Sequence, residues 1–264
     1  MKFGICCAPN ALGEPAHLLE IMQSAGADYV EWTIGSLMAS DAEFEKLQGV
    51  VANSALKPEA FCVFLPPHHR ITGPDVNLGA VLEYADEALR RASALGGEIV
   101  VLGSGAARKV PAGFSMDEAL AQFTRFAREL GPIAQNHGVT MTIEPLNKGE
   151  DNLVNTVSHG AQIVDAVNHP NIQLLADFYH MFTDDEPISN VHNARARIKH
   201  AHLADLNRVA PSFSKEGEAD FVGFFGALKA IGYDERISFE GKTEDLAAQA
   251  RAIIAHMKLR HSQA

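Results

Sequence analysis

The stretch Thr140-Met-Thr-Ile-Glu-Pro-Leu-Asn-Lys-Gly-Glu-Asp151 carries the reading on which the fold turns. Thr140 to Ile143 alternate β-branched and apolar residues as a buried strand does, and Pro145, which has no amide hydrogen to give a sheet, marks its end. Glu144 therefore stands at the C-terminal lip of a short strand. Asn147, Lys148 and Gly149 supply turn residues, so the chain folds back and brings Glu150 over the same mouth. Two acids then face one pocket, although for this segment alone a strand-end ion pair at the surface explains Glu144 equally well.

The same pattern recurs outward in both directions. Short apolar runs, each followed by helical periodicity, occupy Phe3 to Cys6, Tyr29 to Trp32, Ala60 to Phe64, Ile99 to Leu102, Gln173 to Ala176, Ile198 to Ala201 and Ile237 to Phe239. Strict alternation implies a parallel sheet, and about eight βα units in ~250 residues is the usual length of a closed barrel. The fold class expected is α/β, a single-domain (β/α)₈ TIM barrel over residues 1–264. An open doubly wound sheet is the alternative, disfavoured because Cys6-Cys7-Ala8-Pro9-Asn10 stands where a Gly-rich dinucleotide fingerprint would follow the first strand.

Capping signatures place helix starts at Ser40-Asp-Ala-Glu43 and Ser115-Met-Asp-Glu118, where a Ser side chain accepts from an amide and a Glu three residues on reaches back. Asn77 to Ala94 reads as a long amphipathic helix that Gly96-Gly97 closes. Ala106 to Pro111 and Val209 to Asp220, rich in Pro, Ser, Gly and charge, read as loops over the barrel mouth.

Composition narrows the function. The 264 residues are 47% hydrophobic, and 33 acids against 22 Lys and Arg give a formal charge of −11. With no basic block, phosphate-backbone binding is disfavoured, so nucleic acid is not an expected partner. No apolar run approaches a membrane span and the N-terminus enters a strand directly, so no membrane partner and a cytoplasmic location are expected. Cys6, Cys7 and Cys62 are odd in number and lack metal-ligand spacing, and they read as reduced thiols in apolar strands. A homo-oligomer, dimer or tetramer, is expected on the general habit of soluble enzymes, without a surface stripe to locate an interface.

Four late strands each end in a residue able to hold a hard or borderline divalent cation: Glu144, Asp177, His202 and Glu240. In a barrel these lips converge, so residues far apart in sequence become one coordination shell. Three carboxylates and an imidazole suit Mn²⁺, with Mg²⁺ or Co²⁺ as alternatives, better than a thiol-loving ion, and a cation relieves their mutual repulsion. Singly, each of these residues is more often a solvated or paired group than a ligand. His200 and His202 lie two apart on one side of their strand, and spacing does not choose between them.

Taken together, Glu144-Pro-Leu-Asn with Glu150, Asp177-x-x-His180, His202 followed by Asn207-Arg208, and Glu240-Gly241 resemble the sugar isomerase and epimerase superfamily with the xylose-isomerase-like barrel. The D-tagatose and D-psicose (allulose) 3-epimerases are the nearest likeness. The resemblance implies that Glu144, Asp177, His202 and Glu240 hold one divalent metal, that Glu144 and Glu240 are the acid and base, and that Glu150, His180 and Arg208 contact substrate oxygens; it also selects His202 over His200. The implied reaction is epimerisation or isomerisation of a small ketose or keto-sugar acid by proton transfer through a metal-stabilised enediolate, with a free sugar as the partner molecule. The physical logic agrees: inverting a carbon beside a ketone needs one carboxylate on each face.

There are departures from that pattern. Ketose 3-epimerases commonly place aromatic residues after the first strand, where this chain has Cys6 and Cys7. The third unit ends in Phe64-Leu-Pro-Pro-His-His-Arg70, placing His68 and His69 near the mouth as further candidates for substrate contact. Hydroxypyruvate isomerase and a keto-sugar dehydratase or lyase are rival activities using the same groups. An endonuclease IV-like nuclease is disfavoured by the acidic charge, and a sugar-binding barrel without turnover is the non-enzymatic alternative.

Overall fold

Eight parallel strands close on themselves in sequence order: β1 (Lys2–Cys7), β2 (Tyr29–Thr33), β3 (Pro58–Cys62), β4 (Ile99–Leu102), β5 (Thr140–Ile143), β6 (Ile172–Asp177), β7 (Ile198–Leu203) and β8 (Arg236–Phe239), with β8 pairing back onto β1. The computed structural model describes residues 1–211 and 219–264. Around the barrel run α1 (Pro15–Ala25), α2 (Asp41–Asn53), α3 (Leu78–Ala94), α4 (Gly105–Arg108), α5 (Met116–Asn136), α6 (Val157–Val167), α7 (Phe178–Thr183), α8 (Ser189–Ala194), α9 (Phe221–Ala230) and α10 (Leu246–Gln263). The expected closed (β/α)₈ barrel is the fold observed.

Local chemistry explains the boundaries. Ser40 caps α2 with the full reciprocal box, its hydroxyl accepting from the Glu43 amide and Glu43 accepting from the Ser40 amide. Ser115 accepts from the Glu118 amide at 3.3 Å and starts α5, and Asn77 caps α3. The side chains of Leu18, Leu19 and Met22 on α1, Val81, Ala85 and Leu89 on α3, and Phe123, Phe126 and Leu130 on α5 form buried stripes at helical spacing, packed against the strands. Removing such stripes from water supplies the main drive for closing the outer layer.

Two expectations need correcting. The third strand ends at Cys62, not Phe64, because Val63 turns into the left-handed region at φ +54° and breaks the ladder. The stretch from Ala106 is not wholly loop, because Gly105–Arg108 forms the helical turn α4 and Arg108 is buried. Its guanidinium points inward to Asp151 and to main-chain carbonyls, a use that composition does not reveal. Of the loop expected over Val209 to Asp220, residues 212–218 lie outside the described residues.

Two register shifts aim the inward side chains. On β3 one extra residue, Glu59, is passed between the Val30 and Glu31 pairings, and on β7 Lys199 is passed between the Leu174 and Leu175 pairings. Such bulges re-aim the residues that follow. Beyond them Cys6 pairs with Glu31, Asp177 with His202, and His202 with Ser238, so the polar residues come to the upper layers of the barrel. Among the described residues, no helix is long and apolar enough to cross a membrane.

Candidate active site at the barrel mouth

Glu144 follows β5, Asp177 ends β6, His202 lies near the end of β7 and Glu240 follows β8. One ligand-capable atom from each of the four lies within 4.8 Å of all the others. The structure thus brings together the four residues expected to converge. His202 Nδ1 is 3.3 Å from Glu144 Oε1 and 3.7 Å from Glu240 Oε2. His200 lies on the same side of β7, one layer below, where its Nε2 meets Glu31 at 2.8 Å.

Several atoms facing this centre have no hydrogen-bond partner. Glu144 Oε1, His180 Nε2 and His202 Nδ1 are all buried and unmatched. Buried polar atoms are seldom left so, and three of them aimed at one point fit a cation and a polar ligand. Glu144 lies directly against the backbone of Gly103, after β4: a Cβ built there would be 1.8 Å from Glu144 Oε2. Glycine at 103 is the cradle that lets this carboxylate reach the mouth.

The charges are unevenly held. Burial, with the charge of Glu240 added, raises the Glu144 carboxyl, and burial pushes Asp177 up to about 6. At His202 burial favours the neutral ring, but the charge of Glu31, its hydrogen bond to the ring and the adjacent Glu144 carboxylate outweigh it and raise its pKa. Without a cation, protons therefore do part of the work of balancing charge. His180 is lowered, chiefly by burial, and stays neutral.

The tautomers follow from the donors. The Asn147 amide and its side-chain NH₂ approach His180 Nδ1 at 3.2 and 2.8 Å, so Nδ1 accepts and Nε2 carries the hydrogen. That N–H points to the centre, 3.5 Å from Asp177 Oδ2. The loop expected to fold Glu150 back does so: Asn147 O accepts from the Glu150 amide at 3.0 Å, and Arg208 Nη1 lies 3.1 Å from both Glu150 oxygens. Arg208 Nη2 donates to Glu240 Oε2, while the guanidinium sits 5.3 Å over the Tyr179 ring. Asn207 and Arg208 both have left-handed backbones, φ +60° and +58°, and the Lys242 amide donates to Arg208 O at 2.7 Å to hold this turn. Non-glycine residues keep such angles only where their surroundings fix them.

His68 and His69 are not brought into the cluster. His68 is exposed, and its ring stacks on His69, which stacks in turn on Tyr84 of α3 with centroids 4.7 Å apart. Trp32 is fully buried in the core.

Sequence reasoning missed two residues behind the site. Glu31, fully buried, accepts from His202 Nε2 at 3.0 Å, His200 Nε2 at 2.8 Å and Ser238 Oγ at 2.6 Å. Burial opposes its charge, yet the two histidines hold its carboxyl well below the usual range. By accepting at Nε2 it leaves the His202 Nδ1 lone pair for the mouth. The signal was a lone acid in the otherwise apolar run Tyr29-Val-Glu-Trp. The second, Arg108, donates at 2.7 Å to the carbonyl of Glu144 itself.

A closed parallel barrel with acids and an imidazole gathered at the C-terminal ends of its strands belongs to the class of barrel enzymes whose chemistry sits at that face. Comparison with known families narrows the class: residues 19–260 match the xylose isomerase-like TIM barrel, and the chain belongs to this family. An L-ribulose 3-epimerase of Mesorhizobium japonicum is 26% identical over 245 residues, 90% of this chain and 79% of the relative. A D-psicose 3-epimerase of Ruminiclostridium cellulolyticum is 31% identical over 114 residues, 43% of this chain and only 38% of that protein. The fold is shared with the crystal structure of a 3-keto-D-glucoside 4-epimerase from E. coli, at TM-score 0.83 and 21% identity over 98% of this chain and 99% of that one.

Proposed function

We propose that the chain is a divalent-metal-dependent epimerase of a small ketose or keto-sugar, with Glu144 and Glu240 moving the proton. The observation that carries this reading is the convergence of two carboxylates, one after β5 and one after β8, with Asp177 and His202 around buried atoms that lack partners. Glu144, Asp177, His202 and Glu240 would hold the ion, Mn²⁺ being a good match to three oxygens and one nitrogen. Bound there, it would supply Lewis-acid stabilisation of the negative charge that develops on the substrate oxygen.

The chain's own groups do the rest. Glu144, buried and raised in pKa, is a base matched to a weakly acidic C–H. Glu240 returns a proton from the opposite side, and inversion follows. The His180 Nε2 hydrogen, fixed in place by Asn147, donates to a substrate oxygen. Arg208 neutralises Glu150 and Glu240 and gives its remaining donors to hydroxyls, and the family likeness to ketose and keto-glucoside epimerases supports such a sugar as substrate.

The test is a panel of free ketoses, 3-keto-glycosides, hydroxypyruvate and abasic DNA, run in heavy water with Mn²⁺. Deuterium should enter a sugar at the carbon beside the carbonyl as its epimer appears. Turnover of hydroxypyruvate alone, or no deuterium uptake from any sugar, would sink the proposal.

Metal loading carries its own pH signature. Asp177 near 6 and the raised Glu144 and His202 must all lose protons to bind the ion, so affinity is expected to climb as pH rises through about 6 and to collapse below it. A hundredfold excess of Mn²⁺ over its Kd should raise Tm by about 5–10 °C, reversed by a chelator. Calorimetric titration at pH 5 and pH 7.5 checks the sign.

Glu31 bears on the same equilibrium. Glu31→Gln removes the charge behind His202 and lets an amide NH₂ compete for the imidazole, so Mn²⁺ affinity should fall about 10–100-fold. Unchanged affinity by titration would show that the buried carboxylate does not tune His202.

A further inference from the structure

We propose that Cys6, Cys62 and Glu240 form a second cation site, selective for a thiophilic divalent ion such as Zn²⁺ or Cd²⁺, and that filling it draws Glu240 out of the carboxylate cluster. The second half rests on the ligand set proposed above; the first half does not. Cys6 lies near the end of β1 and Cys62 ends β3, two strands apart, and their side chains meet across the intervening strand. Their sulfurs are 2.9 Å apart, and neither cysteine is in a disulfide. One Glu240 oxygen and both sulfurs lie within 4.8 Å of one another.

The geometry needs little change to hold an ion. Zn–S bonds of about 2.3 Å at a tetrahedral angle would set the sulfurs about 3.8 Å apart, so the pair has to part by about 1 Å. Glu240 supplies a third donor, and Cys6 also lines a cavity of about 520 Å³ together with Cys7, Ala8, Phe239, Gly241 and Thr243. Each thiol gives up its proton to solvent as its sulfur takes the cation, and no oxidant is involved.

Donor softness keeps the two sites apart. On one side of Glu240 stand two carboxylates and an imidazole, a set that suits Mn²⁺ or Mg²⁺; on the other stand two sulfurs, which select Zn²⁺, Cd²⁺ and similar ions. One carboxylate between them is shared.

The experiment titrates full-length, reduced, Mn²⁺-loaded protein with Cd²⁺. One equivalent should produce the ultraviolet thiolate-to-cadmium charge-transfer band and release Mn²⁺, read as the free-ion electron paramagnetic resonance signal. Both responses should vanish in Cys6→Ser and Cys62→Ser and persist in Cys7→Ser. Absence of the band, or the same band in all three variants, overturns the site. Release of Mn²⁺ that persists in the Cys6→Ser and Cys62→Ser variants overturns the competition for Glu240. Should either serine variant fail to fold, X-ray absorption at cadmium in the unaltered chain decides: two sulfurs in the shell support the site and an all-oxygen shell refutes it. Neither readout needs turnover, so a protein inactive on every sugar could still bear out the thiol site while the epimerase reading fell.

Discussion

Glu240→Gln is expected to lower kcat for net epimerisation by about 10²–10⁴-fold while one epimer, and only one, still exchanges its hydrogen with solvent. The amide keeps an oxygen that can ligate but cannot accept or return a proton. Glu144 remains, buried and free to act on one face of the carbon. In heavy water the epimer whose hydrogen faces Glu144 should pick up deuterium and revert, because nothing on the other side can deliver a proton. Its partner should be inert.

The substitution also removes the charge that helps raise Glu144, so the pH profile of the surviving exchange should move to lower pH. Arg208 loses one of its two carboxylates but keeps Glu150, which limits the collapse of the loop. Mn²⁺ should still bind, more weakly, through the remaining donors. Near-normal epimerisation in this variant would refute Glu240 as a proton carrier, and equal exchange of both epimers would refute the two-face assignment.

What the sequence disclosed of this site follows from how barrels are made. Strand ends are punctuated by local chemistry, and Glu144 before Pro145 or Asp177 before a helix start could be read because apolar runs stop there. Closure of the barrel then carries those ends to one rim, whatever lies between them. The choice of His202 over His200 was beyond spacing, because strand alternation gives both the same side; the two differ in depth, His202 turning Nδ1 toward Glu144 while His200 sits below against Glu31.

Glu31 shows where such reading stops. Its role comes from a carboxylate on β2 reaching histidines on β7 and a serine on β8 across the barrel interior. No local pattern encodes a contact between residues 169 and 207 positions apart. His68 and His69 lie outside the cluster, in a loop where the His69 ring packs on Tyr84 of α3. Cys6 and Cys62 were uninformative as a spacing and become a pair only once β1 and β3 curve toward each other.

Asp151→Ala is the change expected to cost the most stability, about 3–5 kcal/mol, or a fall in Tm of about 6–20 °C. Asp151 and Arg108 are both fully buried, with Arg108 Nε 2.8 Å from Asp151 Oδ2. The same guanidinium donates to Leu102 O at 3.1 Å and Glu144 O at 2.7 Å, tying the ends of β4 and β5 together under the mouth. Without Asp151 a full positive charge is left in the interior, and the Val154 amide, 3.1 Å from Asp151 Oδ2, loses its acceptor as well. Asp151→Asn keeps an acceptor and removes only the charge, so it should fall between the two. Replacing both partners, Arg108→Met with Asp151→Leu, should recover much of the loss because no charge is stranded. Recovery should be incomplete, since the Glu144 carbonyl then loses its Arg108 donor, at about 1–3 kcal/mol, and Leu102 O keeps only the Glu144 amide at 3.3 Å. Turnover should stay low in that double variant even where its Tm returns, because the backbone that aims Glu144 is no longer held. Thermal melts and kcat on the three variants separate the two effects, and an Asp151→Ala protein within 1 kcal/mol of the parent would show that the buried pair does not brace the site.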